Sequence, residues 1–220
     1  ALLAGELAEK AIGLRPVAIT RFATGLQHYV FEVAFEARPP VVVRLNVSAE
    51  RAIMANALRL NRMLRPLGVP LPAILGGDVE HAYPHLILER LPGTDLGEVI
   101  GTLPDAALDT IAMRVADLQD LAAGTPSAGR YGFAADPARA PHARWSGVIR
   151  DSLRRSSNRI AAAGLFEPTL ADRLERLVAK NIEALERIPA TPFLHDTTTK
   201  NVIVMPDGTF TGIVHVDDIC

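Results

Sequence analysis

The sequence predicts an α+β chain of two lobes, a small β-rich N-terminal one and a mostly helical C-terminal one. Three observations predict it. Between residues 29 and 46 apolar side chains recur at period 2, as on a half-buried sheet. Beyond residue 92 the period becomes helical. Near the C-terminus strand-like runs return around a turn and carry a dense set of polar residues, an order of elements that fits α+β architecture.

Each element has a local reason. Residues 17–46 read as β structure, with Phe31, Val33 and Phe35 on one face. Arg38-Pro39-Pro40 interrupts them, and Val41 to Asn46 forms a β-branched strand. Ser48 is expected to cap a helix whose stripe is Ile53, Ala57, Leu60, Leu64 and Leu67. That helix ends in Gly68-Val69-Pro70-Leu71-Pro72, because proline cannot extend it. Apolar runs near 73–76 and at 85–89 follow, and Leu91-Pro92-Gly93-Thr94 breaks the pattern. The expected domains are therefore 1–91 and 92–220. In the second, Pro104-Asp105 opens a helix with Leu108, Ile111, Val115 and Leu118 on one side. A Gly, Pro and Ala-rich loop leads to a helix bearing Trp145, Val148, Ile149, Leu153 and Ile160, and a single helix is predicted over 172–187. Strands at 201–205 and 210–216 are joined by the turn Pro206-Asp207-Gly208.

Bulk composition narrows the function classes. The 220 residues are 49% hydrophobic and 22% charged, with formal net charge −2, so no basic field points to nucleic acid. No apolar run is long enough for a membrane span, and Glu6 and Glu9 break any signal-peptide pattern. One cysteine, Cys220, excludes an internal disulfide framework and fits a reducing compartment, so a cytoplasmic protein is expected. The sequence sets no oligomeric state. Because the chain stops just behind its most polar cluster, the C-terminal lobe is expected to be incomplete.

The chemistry is concentrated in two stretches. In Leu194-His195-Asp196-Thr197-Thr198-Thr199-Lys200-Asn201, a carboxylate precedes a carboxamide by five positions, and an apolar strand follows. Phosphoryl-transfer sites use this spacing to set a proton acceptor beside the acceptor hydroxyl and a metal ligand next to it. The second stretch, Gly212 to Asp218, adds His215, Asp217 and Asp218.

With Thr24-Gly25-Leu26-Gln27-His28-Tyr29-Val30, Val42-Val43-Arg44 and Leu88-Glu89-Arg90-Leu91-Pro92-Gly93 preceding these stretches in order, the chain resembles the aminoglycoside phosphotransferase and choline-kinase-like family, which shares the bilobal protein-kinase fold. The resemblance implies an ATP-dependent phosphotransferase, with ATP and Mg2+ as cofactors and a small hydroxylated molecule as acceptor. It places Gly25 over the phosphates and Arg44 where relatives carry a phosphate-pairing Lys. The three lysines, Lys10, Lys180 and Lys200, all lie elsewhere. Glu89 to Leu91 becomes the hinge that meets the adenine edge. Asp196 takes the acceptor proton, Lys200 neutralises charge on the transferred group, and Asn201 ligates the metal. The helix acid that orients the cation is missing: its position falls on Ala57, with Glu50 the substitute. His195 sits in the middle of a His-Gly-Asp pattern and reads as structural.

His215 occupies the position of the metal-binding Asp. Magnesium prefers hard oxygen ligands, and imidazole replaces them poorly. On a regular strand Asp217 shares the face of His215 but lies roughly 7 Å further along, whereas Asp218 faces the other way. Two alternatives therefore stand beside the phosphotransferase: a kinase-like protein that binds nucleotide or ligand without transfer, and a metal-dependent phosphohydrolase using His195, Asp196, His215 and Asp217.

Overall fold

A computed structural model of the chain describes residues 1–23, 28–164, 167 and 169–219. Gly25 lies outside the described residues. The chain forms two compact units, one of Ala1–Thr125 with Leu194–Asp218, the other of Pro126–Phe193 with Ile219–Cys220.

In the first unit, β1 (Ala18–Arg21), β2 (Tyr29–Ala34), β3 (Val41–Leu45), β4 (Ile74–Asp78) and β5 (His85–Glu89) form an antiparallel sheet in the order β1-β2-β3-β5-β4. Period-2 alternation gives this sheet two different faces. Phe31, Val33, Phe35, Val41, Val43 and Ile87 pack under helix α1 (Leu2–Ile12) through Ala4, Leu7 and Ala8. Val33, Val41, Val43 and Ile87 have no exposed surface, and full burial of such a side chain contributes about 1.5–3 kcal/mol. On the opposite face Leu86 meets Met54 and Ala57 of α2 (Arg51–Leu64). Arg44 pairs in register with Leu86, so its side chain belongs to this second face.

The start of α2 differs from the expected cap. Ser48 makes no capping bond; residues 48–50 form a 3-10 turn in which the Glu50 N–H donates to the Val47 carbonyl at 3.0 Å. Backbone closure does the work assigned to the hydroxyl. The helix end agrees with expectation: a 3-10 turn over 65–67 leads to Gly68 at φ +96, a conformation that costs glycine nothing.

A second sheet, β6 (Thr94–Asp95), β7 (Val202–Val204) and β8 (Phe210–Ile213), joins residues far apart in sequence. Its strands are antiparallel, with Thr94 opposite Val204 and Val202 opposite Ile213. Gly93, at φ +104, makes this approach possible, because a Cβ there would lie 2.1 Å from the Val204 carbonyl oxygen. The Ile213 N–H donates to the Pro70 carbonyl at 3.1 Å, and Thr211 Oγ1 to the Pro92 carbonyl at 2.9 Å. These bonds hold 202–213 in the first unit together with α3 (Leu96–Val99) and α4 (Asp105–Ala123). The boundary expected at 91/92 therefore falls inside that unit.

The second unit is helical, with α5 (Trp145–Ala163), α6 (Thr169–Lys180) and α7 (Ile182–Leu185). The single helix expected over 172–187 is interrupted at Asn181, whose side-chain amide donates to the Leu177 carbonyl at 2.8 Å. That local bond competes with the backbone ladder. No helix among the described residues is long and apolar enough to cross a membrane.

Candidate functional site

All the site residues described below belong to the first unit. Asn201 directly precedes β7, and its N–H donates to the Thr198 carbonyl at 2.9 Å, which curls the loop back on itself. Asp196 adopts φ +61, a left-handed conformation that Asp tolerates better than most residues. The curl brings the two expected groups together. Asn201 Nδ2 donates to the Asp196 carbonyl at 2.8 Å and to Asp196 Oδ2 at 3.1 Å. With its amino group committed to Asp196, the Asn201 amide has its oxygen left for another partner.

The loop is also held from behind. Gln119 on α4 accepts the Leu194 N–H at Oε1 (2.7 Å) and donates to the Leu194 carbonyl from Nε2 (3.2 Å). Sequence reasoning missed this residue, because a Gln on a helix carries no signal for a partner 75 positions away. Replacing it by Leu leaves two backbone groups near Asp196 without their partner. The Gln119→Leu variant is expected to lose about 1–3 kcal/mol in denaturant unfolding.

Asp196, Lys200 and Asn201 line a cleft of about 770 Å3. Val30, Val42, Leu86 and Leu88, from the second face of the sheet, give it an apolar wall. A concave site that combines an apolar wall with a set of polar groups is the form of a small-molecule site. Glu89 and Leu91 line it as well. Their backbone groups are partly engaged: the Glu89 N–H donates to the Ala73 carbonyl at 2.8 Å, and the Leu91 carbonyl accepts from Arg90.

Arg44, another lining residue of the cleft, is paired with Asp217. Nη2 of Arg44 donates to Asp217 Oδ1 at 2.7 Å and Oδ2 at 2.6 Å. Their side chains are 8% and 11% exposed. The acid expected from α2 is thus corrected. Ala57 is buried with no group to offer, Glu50 is exposed on its 3-10 turn, and the partner of the cation is Asp217. His28 completes the cluster: its Nε2 lies 3.2 Å from Asp217 Oδ2 and against Arg44 Nη2, and its Nδ1 lies 2.9 Å from Asn46 Nδ2. Sequence reasoning gave His28 no role.

The regular-strand expectation for 215 and 217 is also corrected. β8 ends at Ile213, the Val214 N–H donates to the Asn201 carbonyl at 2.8 Å, and His215 takes φ +65. This turn brings His215 Nε2 to 3.6 Å from Asp217 Oδ2. Burial lowers the pKa of His215; Asp217 opposes that and Arg44 reinforces it. The ring is therefore neutral near pH 7. For Asp217, burial pushes upward, but the His28 hydrogen bond and the Arg44 charge prevail and hold it well below the usual carboxylate range. Burial and the neighbouring Asp217 raise Asp218.

The residues do not fit magnesium well. Among the described residues, the His and carboxylate donors that gather are His28, His215 and Asp217, with ligand atoms within 4.8 Å of one another. Two imidazoles and a carboxylate suit a borderline transition metal better than a hard, oxygen-seeking cation. His195, expected in the phosphohydrolase reading, is not in this cluster.

No protein-family model and no curated protein sequence matches the chain. Solved structures do. The GDP complex of wild-type aminoglycoside 2'-phosphotransferase-IIIa superposes with TM-score 0.70 at 18% identity, covering 100% of this chain and 73% of that one. A putative fructosamine-3-kinase from Haemophilus somnus 129PT gives 0.65 at 13% identity, covering 98% and 71%. The macrolide 2'-phosphotransferase MphH from Brachybacterium faecium gives 0.59 at 19% identity, covering 100% and 72%. With a β-sheet part, a helical part and these neighbours along its whole length, the chain has the protein-kinase-like fold of the aminoglycoside phosphotransferases.

Proposed function

We propose that the protein binds a nucleoside triphosphate, ATP by the family resemblance, and transfers its γ-phosphoryl group to a hydroxyl of a small molecule in the cytoplasm. The observation that carries this reading is the Asp196–Asn201 contact in the lining of a cleft that also has an apolar wall. The base packs against the apolar wall, beside the segment around Glu89 and Leu91. Asp196 accepts the proton of the acceptor hydroxyl as its oxygen bonds to the γ-phosphorus. The bond to the bridging oxygen then breaks and the nucleoside diphosphate leaves. Lys200, on the cleft wall, offsets charge on the transferred group. No step is assigned to magnesium, because the residues around Asp217 do not match its preferences. The test is transfer of labelled γ-phosphate from ATP and GTP to a panel of hydroxylated acceptors. No turnover with any acceptor ends the reading.

A second reading, binding without transfer, is favoured by one specific feature. The position expected to carry a metal-binding carboxylate is His215, and the adjacent acid is closed on Arg44. His215→Asp separates the two. Asp is tolerated at positive φ, and it places a hard oxygen beside Asp217. If binding without transfer is the right reading, magnesium-supported turnover rises about tenfold or more in the variant. A fall in turnover would instead show that the imidazole is in use.

A further inference from the structure

A nucleotide polyphosphate needs positive charge beside it, and kinase-type sites supply much of that charge as a divalent ion held by carboxylate oxygens. Beside this cleft, the carboxylate that neighbours His215 already has a cation. A single nitrogen, Arg44 Nη2, lies 2.7 and 2.6 Å from the two oxygens of Asp217, and His28 Nε2 adds a contact at 3.2 Å. Arg44 plus Asp217 sums to zero charge, so this carboxylate offers a dication no net negative charge, and an ion approaching it meets the guanidinium.

The other candidate occupant competes for the same space. His28, His215 and Asp217 hold their donor atoms within 4.8 Å of one another. Two of the spacings, 3.2 and 3.6 Å, approach the ~3.3 Å edge of a tetrahedron with ~2.05 Å bonds. Yet Arg44 Nη2 sits against both His28 Nε2 and Asp217 Oδ2, so guanidinium and metal are alternatives. The arrangement as folded is built around the guanidinium.

Arg44 also keeps capacity for a ligand. It lines the cleft; its Nε is buried and so out of a ligand's reach, which leaves the Nη1 donors. A guanidinium has five N–H donors, and Asp217 engages only those on Nη2.

Building on the nucleotide-binding reading, we propose that Arg44 is the resident cation of this site and that nucleotide binds without a divalent metal. Titration calorimetry of the wild-type chain with ADP and with GDP, in EDTA and in saturating Mg2+, Mn2+ or Zn2+, tests it directly. The expected dissociation constant changes by less than about threefold between these buffers. Arg44→Met is expected to weaken binding in EDTA by about tenfold or more and to make it recover with Mg2+, because Asp217 is then released. Arg44→Lys, which keeps the charge, serves if the Met variant fails to fold, and should remain metal-independent. Metal-induced tightening of about threefold or more in the wild type overturns the proposal. With Zn2+ or Mn2+ alone, that result would assign the site to His28, His215 and Asp217. Failure of both nucleotides to bind in every buffer removes the nucleotide reading itself, a result distinct from metal-dependent binding.

Discussion

Asp217→Ala is expected to destabilise the protein by about 3–5 kcal/mol, the cost of leaving a buried charge without its partner. Arg44 would keep its charge in a site 8% exposed and lose both of its short bonds to the carboxylate. For a chain of this size, such a loss lowers the thermal midpoint by about 10 °C. Removing both charges should behave differently. Arg44→Met combined with Asp217→Leu is expected to recover most of the loss, since apolar groups of similar volume replace the pair without a stranded ion. Circular dichroism melts of the three proteins check the prediction, and a double variant no better than Asp217→Ala would refute the ion-pair account. Acid should reproduce the single variant. The carboxyl of Asp217 is held below its ordinary value of about 3.9, so its contribution is present above that pH and declines as pH falls towards the folded value. Wild-type stability should therefore drop below about pH 4, and Asp217→Ala should lose less over that window.

The elements that sequence reasoning found are those whose signal is local. Phe31, Val33 and Phe35 alternate because one face of β2 is buried, and Ala57, Leu60 and Leu64 repeat because one side of α2 is. α1 carries a comparable stripe, with Leu3, Ala4, Leu7, Ala8 and Ile12 on the sheet, and sequence reasoning, which took residues 1–10 only as no signal peptide, did not read it as a helix. Asn181 was read as a helix residue because nothing in sequence shows its amide turning back on the Leu177 carbonyl. The site divides in the same way. Asp196 and Asn201 are five positions apart, and a short loop can close that distance by itself. Arg44 and Asp217 are separated by 173 positions, and their pairing depends on the register of β3 and the turn after β8. Extending β8 as a regular strand gave the wrong geometry, because His215 at φ +65 ends the alternation. Once Asp217 is seen as the partner of Arg44, the absence of an acid on α2 ceases to be a defect. The charge that would be needed there is supplied from the other end of the chain.

Asp196→Asn is expected to lower the turnover number for phosphoryl transfer by about 10²–10⁴-fold, the usual worth of a positioned general base. The substitution keeps the shape of the side chain and removes its capacity to take a proton. Asp196 is exposed, so the fold has little reason to depend on its charge. The amide oxygen of the new side chain can still accept from Asn201 Nδ2, now at 3.1 Å from Oδ2, so the loop and its φ of +61 should persist. A catalytic role and a structural one therefore give different patterns. In the first, the turnover number falls while the melting midpoint and nucleotide affinity stay near wild type, and the loss is not recovered at saturating nucleotide. In the second, stability and nucleotide affinity fall together with rate. Calorimetric nucleotide titration and a transfer assay on the same preparations separate them. A variant that transfers phosphate at the wild-type rate would remove Asp196 from the chemistry, and with it the reason for reading the Asp196–Asn201 contact as an acceptor site.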